Sequence, residues 1–302
     1  MKERMKNMWI GAGNVLTTVM SFTAAMLFSS KKAAREIREM SKHTDVNRKA
    51  FVLGNGPSLK EVLETPLLLK ELEDGDVIVT NRFAISEEFP KLKPRYYILM
   101  DPFFFKDENI QKDKESLVMF DALNNADWDI VFFIPTSTDL TDVLKYINNP
   151  HLRFQRFNGT RIRGPVKFQN RMYRKGLGIP SSRNVIIPAM ELMINLGYKN
   201  VYLYGAEFSW TKTYDVDPRT NKLFMNDGHF YKTNNIIYQD PVYTYEKGYF
   251  KWSLEAIAEM LAGTEQVALF AESMGVKMVN RTKGSFIDAF PYENPDTIFD
   301  NN

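Results

Sequence analysis

A short apolar run at residues 50–53 (AFVL) ends directly in Gly54-Asn55-Gly56-Pro57-Ser58, and a helical pattern, SLKEVLE, follows. A strand that turns through two glycines into a helix belongs to α/β architecture, because glycine lets the backbone turn sharply and approach a neighbour closely. Pro57 suits a first helical turn, and free N–H groups at a helix start attract phosphate. The setting therefore predicts a phosphate-binding turn; the alternative is a tight turn with no ligand. The run is neither a Walker A loop nor G-x-G-x-x-G, since no Gly-Lys-Ser/Thr and no third glycine follows.

The rest of the chain repeats this alternation. Residues 76–80 (DVIVT), 96–100 (YYILM), 129–134 (DIVFFI), 200–204 (NVYLY) and 276–279 (VKMV) read as short buried strands. Residues 185–196 and 250–274 carry apolar side chains at helical spacing. Strands alternating with helices predict a Rossmann-like α/β fold, a mostly parallel sheet covered on both faces. The length of 302 residues, with 44% apolar and 25% charged, suits one such domain over residues 49–302. A net charge of +2 is too small for a nucleic-acid-binding face. The absence of cysteine excludes thiolate metal sites, disulfides and a Cys nucleophile. Three histidines, His43, His151 and His229, are the candidates for a histidine base.

Residues 1–48 form a separate unit. Residues 8–28 carry no charge, while Lys2, Arg4 and Lys6 precede them and Lys31, Lys32 and Arg35 follow. About 20 uncharged residues are long enough for a membrane helix, but the Gly, Asn, Thr and Ser content is high. Three readings stand: a helix associated with the inner face of the cytoplasmic membrane, one packed on the domain or a second subunit, or a signal peptide, against which no small-x-small cleavage site precedes the basic run. Residues 31–48 read as a charged helical linker.

Polar residues recur where the strands end. Asn81 follows one strand, Asp101 another, and Gly205 and Glu207 a third. The carboxyl ends of parallel strands meet at one edge, so these groups are expected to share a cleft. Between residues 208 and 248 the regular pattern fails, and a stretch rich in Tyr, Asn, Asp and Lys follows a strand end. A loop of this length beside a strand end reads as a lid. Asp215-Val216-Asp217 matches a D-x-D metal motif, yet its place in the lid favours solvated loop residues.

The runs FVLGNGPSLKE and LGYKNVYLYGAEF, the pair Gly228-His229 and the closing VALFAESMGVKMVN resemble the family-42 bacterial sialyltransferases. They are also similar to a broader group that contains motility-associated glycosyltransferases and archaeal-type hydroxymethylpterin diphosphokinases. The resemblance implies a single Rossmann-like domain with a lid. It implies transfer of an acidic sugar from a CMP-activated donor to a glycan acceptor of a surface polysaccharide, without metal or a further cofactor. Gly54, Asn55, Gly56, Pro57 and Ser58 would line the nucleotide, with Asn81, Asp101, Asn184, Gly205 and Glu207 around the donor. His229 would be the general base, Tyr214 would stabilise the leaving phosphate, and Arg183, near an arginine of the family, would join them among the catalytic residues. The chain departs from the family at Glu207, where an Asp is usual, and at Asn226, where a Tyr is usual; Tyr231 comes after the histidine instead. Two rival readings are an ATP-dependent diphosphokinase and a non-catalytic nucleotide-sugar-binding protein of polysaccharide assembly. Nucleic acid is not an expected partner, while a membrane surface and a second copy of the chain are.

Overall fold

β1 (Lys49–Leu53) alternates its side chains strictly between two cores. Ala50 and Val52 enter one apolar cluster, and Phe51 and Leu53 enter the other. The same split holds for β6 (Asn200–Tyr204), with Val201 and Leu203 on one side and Tyr202 and Tyr204 on the other. A period of two with both faces apolar is the signature of a strand inside a covered parallel sheet. In this computed structural model, which describes residues 2–225, 243–245 and 249–299, that sheet is the centre of the molecule.

Five more strands complete it: β2 (Asp76–Thr80), β3 (Tyr96–Ile98), β4 (Ile130–Pro135), β5 (Leu152–Phe157) and β10 (Lys277–Asn280). Their order is β10-β6-β1-β2-β3-β4-β5, and every neighbouring pair is parallel. The chain therefore moves outward from β1 to β5, returns to the far side of β1 as β6, and ends beyond it. The reversal between β1 and β6 is a topological switch point, where α/β sheets open a crevice at the carboxyl edge.

Helices cover both faces. α1 (Lys2–Phe28) and α2 (Lys31–Ser41) precede the sheet. α3 (Leu59–Glu64) and α4 (Pro66–Glu73) join β1 to β2, and α5 (Phe89–Leu92) joins β2 to β3. α6 (Asp107–Lys112) and α7 (Lys114–Asn124) lead to β4, α8 (Val166–Arg174) and α9 (Ile186–Asn195) to β6, and α10 (Tyr249–Met274) to β10. α9 is buried on all sides, between the sheet and α10, which explains its near-continuous apolar sequence.

The observed elements depart from expectation in three places. β5 was not anticipated: LRFQRF alternates, but Arg153 and Arg156 interrupt its apolar character, as suits an edge strand open to water. Most of the supposed linker is α2, an amphipathic helix that buries Ala33, Ala34 and Ile37 and is capped by the Ser30 side chain. The stretch after residue 208 is not patternless. β7 (Tyr214–Asp217), β8 (Lys222–Met225) and β9 (Tyr243–Tyr245) form a small antiparallel sheet, with the β7–β8 turn closing at Asn221 in the left-handed region, φ 55°.

Beyond the switch point a buried cation ties the chain end to the sheet. Arg281, 3% exposed, donates to Glu71 at 2.9 Å, to Glu293 at 2.6 Å and to the Tyr204 hydroxyl at 3.0 Å. Its guanidinium also stacks 3.9 Å over the Tyr202 ring. Removing one partner of such a set leaves an uncompensated buried charge, so each member holds the others in place.

Candidate functional site

The ends of β1 and β6 touch. Gly54 N donates to the Tyr204 carbonyl at 2.8 Å and Gly56 N to the Gly205 carbonyl at 2.9 Å. A Cβ on Gly54 would lie 2.2 Å from the Gly205 oxygen, a contact no side chain can occupy. Gly205 itself adopts φ +64°, which glycine reaches without strain. The glycines are therefore required by the neighbouring strand end.

The Gly54–Ser58 turn is also closed on its helix side. The Ser58 N–H at the start of α3 does not face open space: the Glu207 carboxylate accepts from it at 2.7 Å. The other Glu207 oxygen lies 1.5 Å from where a Gly56 Cβ would stand. A carboxylate holds the place expected for a phosphate oxygen. The Ser58 hydroxyl is buried without a partner, and Ser58 lines a separate small cavity with Glu61 and Arg281.

A cleft opens at the switch point. It measures about 210 Å³ and is lined by the Gly54–Pro57 turn, Thr80 and Asn81 from the end of β2, Asn184 before α9, and Gly205–Trp210 after β6. Asn55 Nδ2 donates to the Thr80 carbonyl at 3.0 Å, which ties the β1 turn to the end of β2. Asn81 adopts φ 48°, and its carbonyl accepts from the Tyr97 hydroxyl; its Oδ1 is buried with no partner. A left-handed non-glycine residue with an unmet buried acceptor is a conformation the surroundings must enforce, and such residues concentrate at functional sites.

The loop carrying Glu207 is fastened by the chain end. Thr282 Oγ1 accepts from Ala206 N at 3.2 Å, Ser285 Oγ donates to the Ala206 carbonyl at 2.8 Å, and Phe286 N donates to the Glu207 carbonyl at 2.7 Å. Phe208, with φ 52°, packs its ring against Trp210, 5.0 Å between centroids and tilted by 49°.

An outer cleft of about 540 Å³ adjoins the first and shares Asn81, Asn184, Val185 and Trp210 with it. Asp101, Arg183 and Tyr214 line it, so these three expected site residues do meet, beside Arg161, Trp252 and Ser253 from elements not expected there. Asp101 caps the following turn through Phe103 N at 2.9 Å. Tyr214 packs edge-on to Phe250, 5.6 Å between centroids. Arg183 donates to Glu259 at 2.6 Å and stacks 5.3 Å over Trp252. Arg183, with Arg161 and Arg163 nearby, holds the Glu259 carboxyl below its ordinary value of 4.5. Trp252 lies on the exposed side of α10 and Ser253 on its buried side, so no single stripe of the sequence marks the pair.

The D-x-D pair occupies alternate positions of β7. Asp217 caps its own turn, accepting from Arg219 N and Thr220 Oγ1, both at 2.9 Å. Gly228, His229 and Tyr231 lie outside the described residues.

No family model matches this chain, and no curated protein matches it. Among solved structures it is similar to the MAf glycosyltransferase from Magnetospirillum magneticum AMB-1, at 10% identity and a TM-score of 0.48. The match covers 89% of this chain and 39% of that one, so the chain spans well under half the length of that structure.

Proposed function

We propose that the chain is a glycosyltransferase that moves an acidic sugar from a CMP-activated donor to a surface-glycan acceptor. The observation that carries this reading is the convergence of β1, β2 and β6 on one crevice at the β1/β6 switch point, next to a second, larger cleft. Two adjoining clefts suit a reaction that joins two substrates.

In this reading the inner cleft takes the nucleotide. Glu207 acts through its carboxylate, which accepts from ribose hydroxyls, while the amides of Asn55, Asn81 and Asn184 read polar edges of the donor. Tyr214 stands on the outer side, where its hydroxyl stabilises the departing phosphate. His229 removes the proton from the acceptor hydroxyl as that oxygen attacks the anomeric carbon and CMP leaves.

The reaction takes place at the inner face of the cytoplasmic membrane. α1 supports this by an inverted amphipathicity. Its seat is small and polar: Ser21 Oγ accepts from Arg163 N at 2.9 Å, and Ala25 is buried. Its outer face exposes Val15, Leu16, Val19, Met20, Leu27 and Phe28. Residues 1–35 carry six basic side chains against one acidic, so the remainder of the chain has an excess of acid. An apolar face beside basic residues suits the surface of an anionic bilayer. No helix among the described residues is long and apolar enough to cross a membrane.

The deciding experiment is a thermal-shift panel of CMP, CDP, UDP, GDP and ATP with magnesium on the full chain. Stabilisation by CMP or CDP alone is expected. Stabilisation by ATP with magnesium alone would replace the transferase by a diphosphokinase, and none by any nucleotide would leave a non-catalytic protein.

A further inference from the structure

Three arginines surround one carboxylate beside the outer cleft, and two of them, Arg161 and Arg183, line it. Glu259 Oε2 accepts from Arg183 at 2.6 Å, while its Oε1 faces Arg163 at 3.2 Å and Arg161 at 3.4 Å. Glu259 is mostly covered, whereas the three guanidinium groups are each more than a third exposed. One carboxylate neutralises one cation, so the cluster keeps an excess of two positive charges beside a concave surface. Among the described residues the one acid lining the cleft is Asp101, which is occupied in capping a turn.

The cleft wall next to the cluster is built for a ligand. Ser253, 3% exposed, lines the cleft, and its hydroxyl is buried with no partner. The Asn81 Oδ1 acceptor is buried and unpartnered in the same wall. Trp252 and Tyr214 add aromatic side chains to the lining, of a kind that packs against sugar rings. A buried hydroxyl without a partner costs stability unless a bound group satisfies it.

We propose that Arg161, Arg163 and Arg183, with Ser253, bind a phosphate monoester carried by the second substrate. This rests on the reading that the inner cleft takes the nucleotide, which leaves the outer cleft for the acceptor. Planar guanidinium groups grip phosphate oxygens through paired N–H donors, and a dianion matches an excess of two charges where a single carboxylate does not. Ser253 donates its hydroxyl hydrogen to a phosphate oxygen. The acceptor is thus a phosphorylated glycan, held by its phosphate while the attacking hydroxyl reaches toward the inner cleft.

The test uses the full-length chain and isothermal titration at low salt and mildly alkaline pH, with phenyl phosphate and benzoate as probes. Phenyl phosphate is expected to bind about ten-fold or more tightly than benzoate, and equally well when CMP is saturating. Arg161→Gln with Arg163→Gln should weaken phenyl phosphate by about ten-fold or more, whereas Glu259→Gln, which unmasks a third charge, should tighten it. Equal binding of benzoate, indifference to both sets of substitutions, or displacement of phenyl phosphate by CMP would overturn the proposal. The last result would hand the cluster to the donor's own phosphate. Failure of CMP to bind the wild-type chain counts against the nucleotide reading alone, because the phosphate preference and its loss are measured without CMP.

Discussion

Replacing Gly54 by alanine would put a methyl carbon 2.2 Å from the Gly205 carbonyl oxygen. The obstacle is backbone, and that carbonyl already accepts from Gly56 N at 2.9 Å. Neither strand end can retreat without breaking the β1–β6 contact, so the cost should lie at the upper end of overpacking, about 3 kcal/mol. Gly56→Ala is a different case. Its methyl would meet the Glu207 carboxylate at 1.5 Å and the Gly205 oxygen only at 2.8 Å. A carboxylate at the end of a flexible side chain can swing away, so the cost is mainly the lost charge-assisted bond to Ser58 N, about 2 kcal/mol, plus a smaller backbone strain. A double-mutant cycle with Glu207→Ala separates the two. Gly56→Ala should cost about 1–2 kcal/mol less in the Glu207→Ala background, and Gly54→Ala should cost the same in both. Urea unfolding of the six proteins measures this. Additive costs for Gly56 and Glu207 would refute the assignment of Glu207 to the space beside Gly56, and with it the reason given for that glycine.

Four further outcomes are expected. Glu191 is 2% exposed, and burial drives its pKa well above 4.5; above that pH the unfolded chain releases a proton the folded chain keeps, so stability falls as pH rises, by about 1.4 kcal/mol per pH unit. Glu191→Gln should flatten that slope in denaturation measured from about pH 5 to about pH 7, and an unchanged slope would show that Glu191 is ionised when folded. Arg281→Ala should cost about 2–3 kcal/mol in the same assay, because Glu71 keeps Lys49 but loses its second cation and the buried Tyr204 hydroxyl loses its partner; a cost below about 1 kcal/mol would mean water replaces the guanidinium. His229→Ala should lower kcat by about 10²–10⁴-fold, remove the acid limb of the pH–rate profile and leave CMP affinity nearly unchanged; near-normal turnover would eliminate it as the base. Deleting residues 1–20 should leave a folded chain that no longer co-sediments with anionic vesicles, whereas equal sedimentation would mean that α1 is not the anchor.

The alternation of short apolar runs with helical patterns was enough to determine a parallel α/β sheet, because a strand covered on both faces must be apolar at every position. Gly54 and Gly56 were equally legible as places where backbone comes close to something. What approaches them was not, since the Gly205 carbonyl and the Glu207 carboxylate are about 150 residues distant along the chain. β5 escaped notice because an edge strand tolerates charge; α2 was legible as a helix but not as a packed one, because only one of its faces is apolar. Asn81, Asp101, Asn184 and Glu207 could be named from strand ends and from resemblance, but their division between an inner and an outer cleft depends on the sheet order. The arginine cluster was invisible in sequence. Arg161 and Arg163 follow β5, Arg183 precedes α9, and Glu259 belongs to α10; only the packing of those segments brings four charges to one point. Local sequence determines which elements form, because their periodicity is local. Which charges meet is decided by long-range packing, because the energy that pairs them exists only once the core has closed.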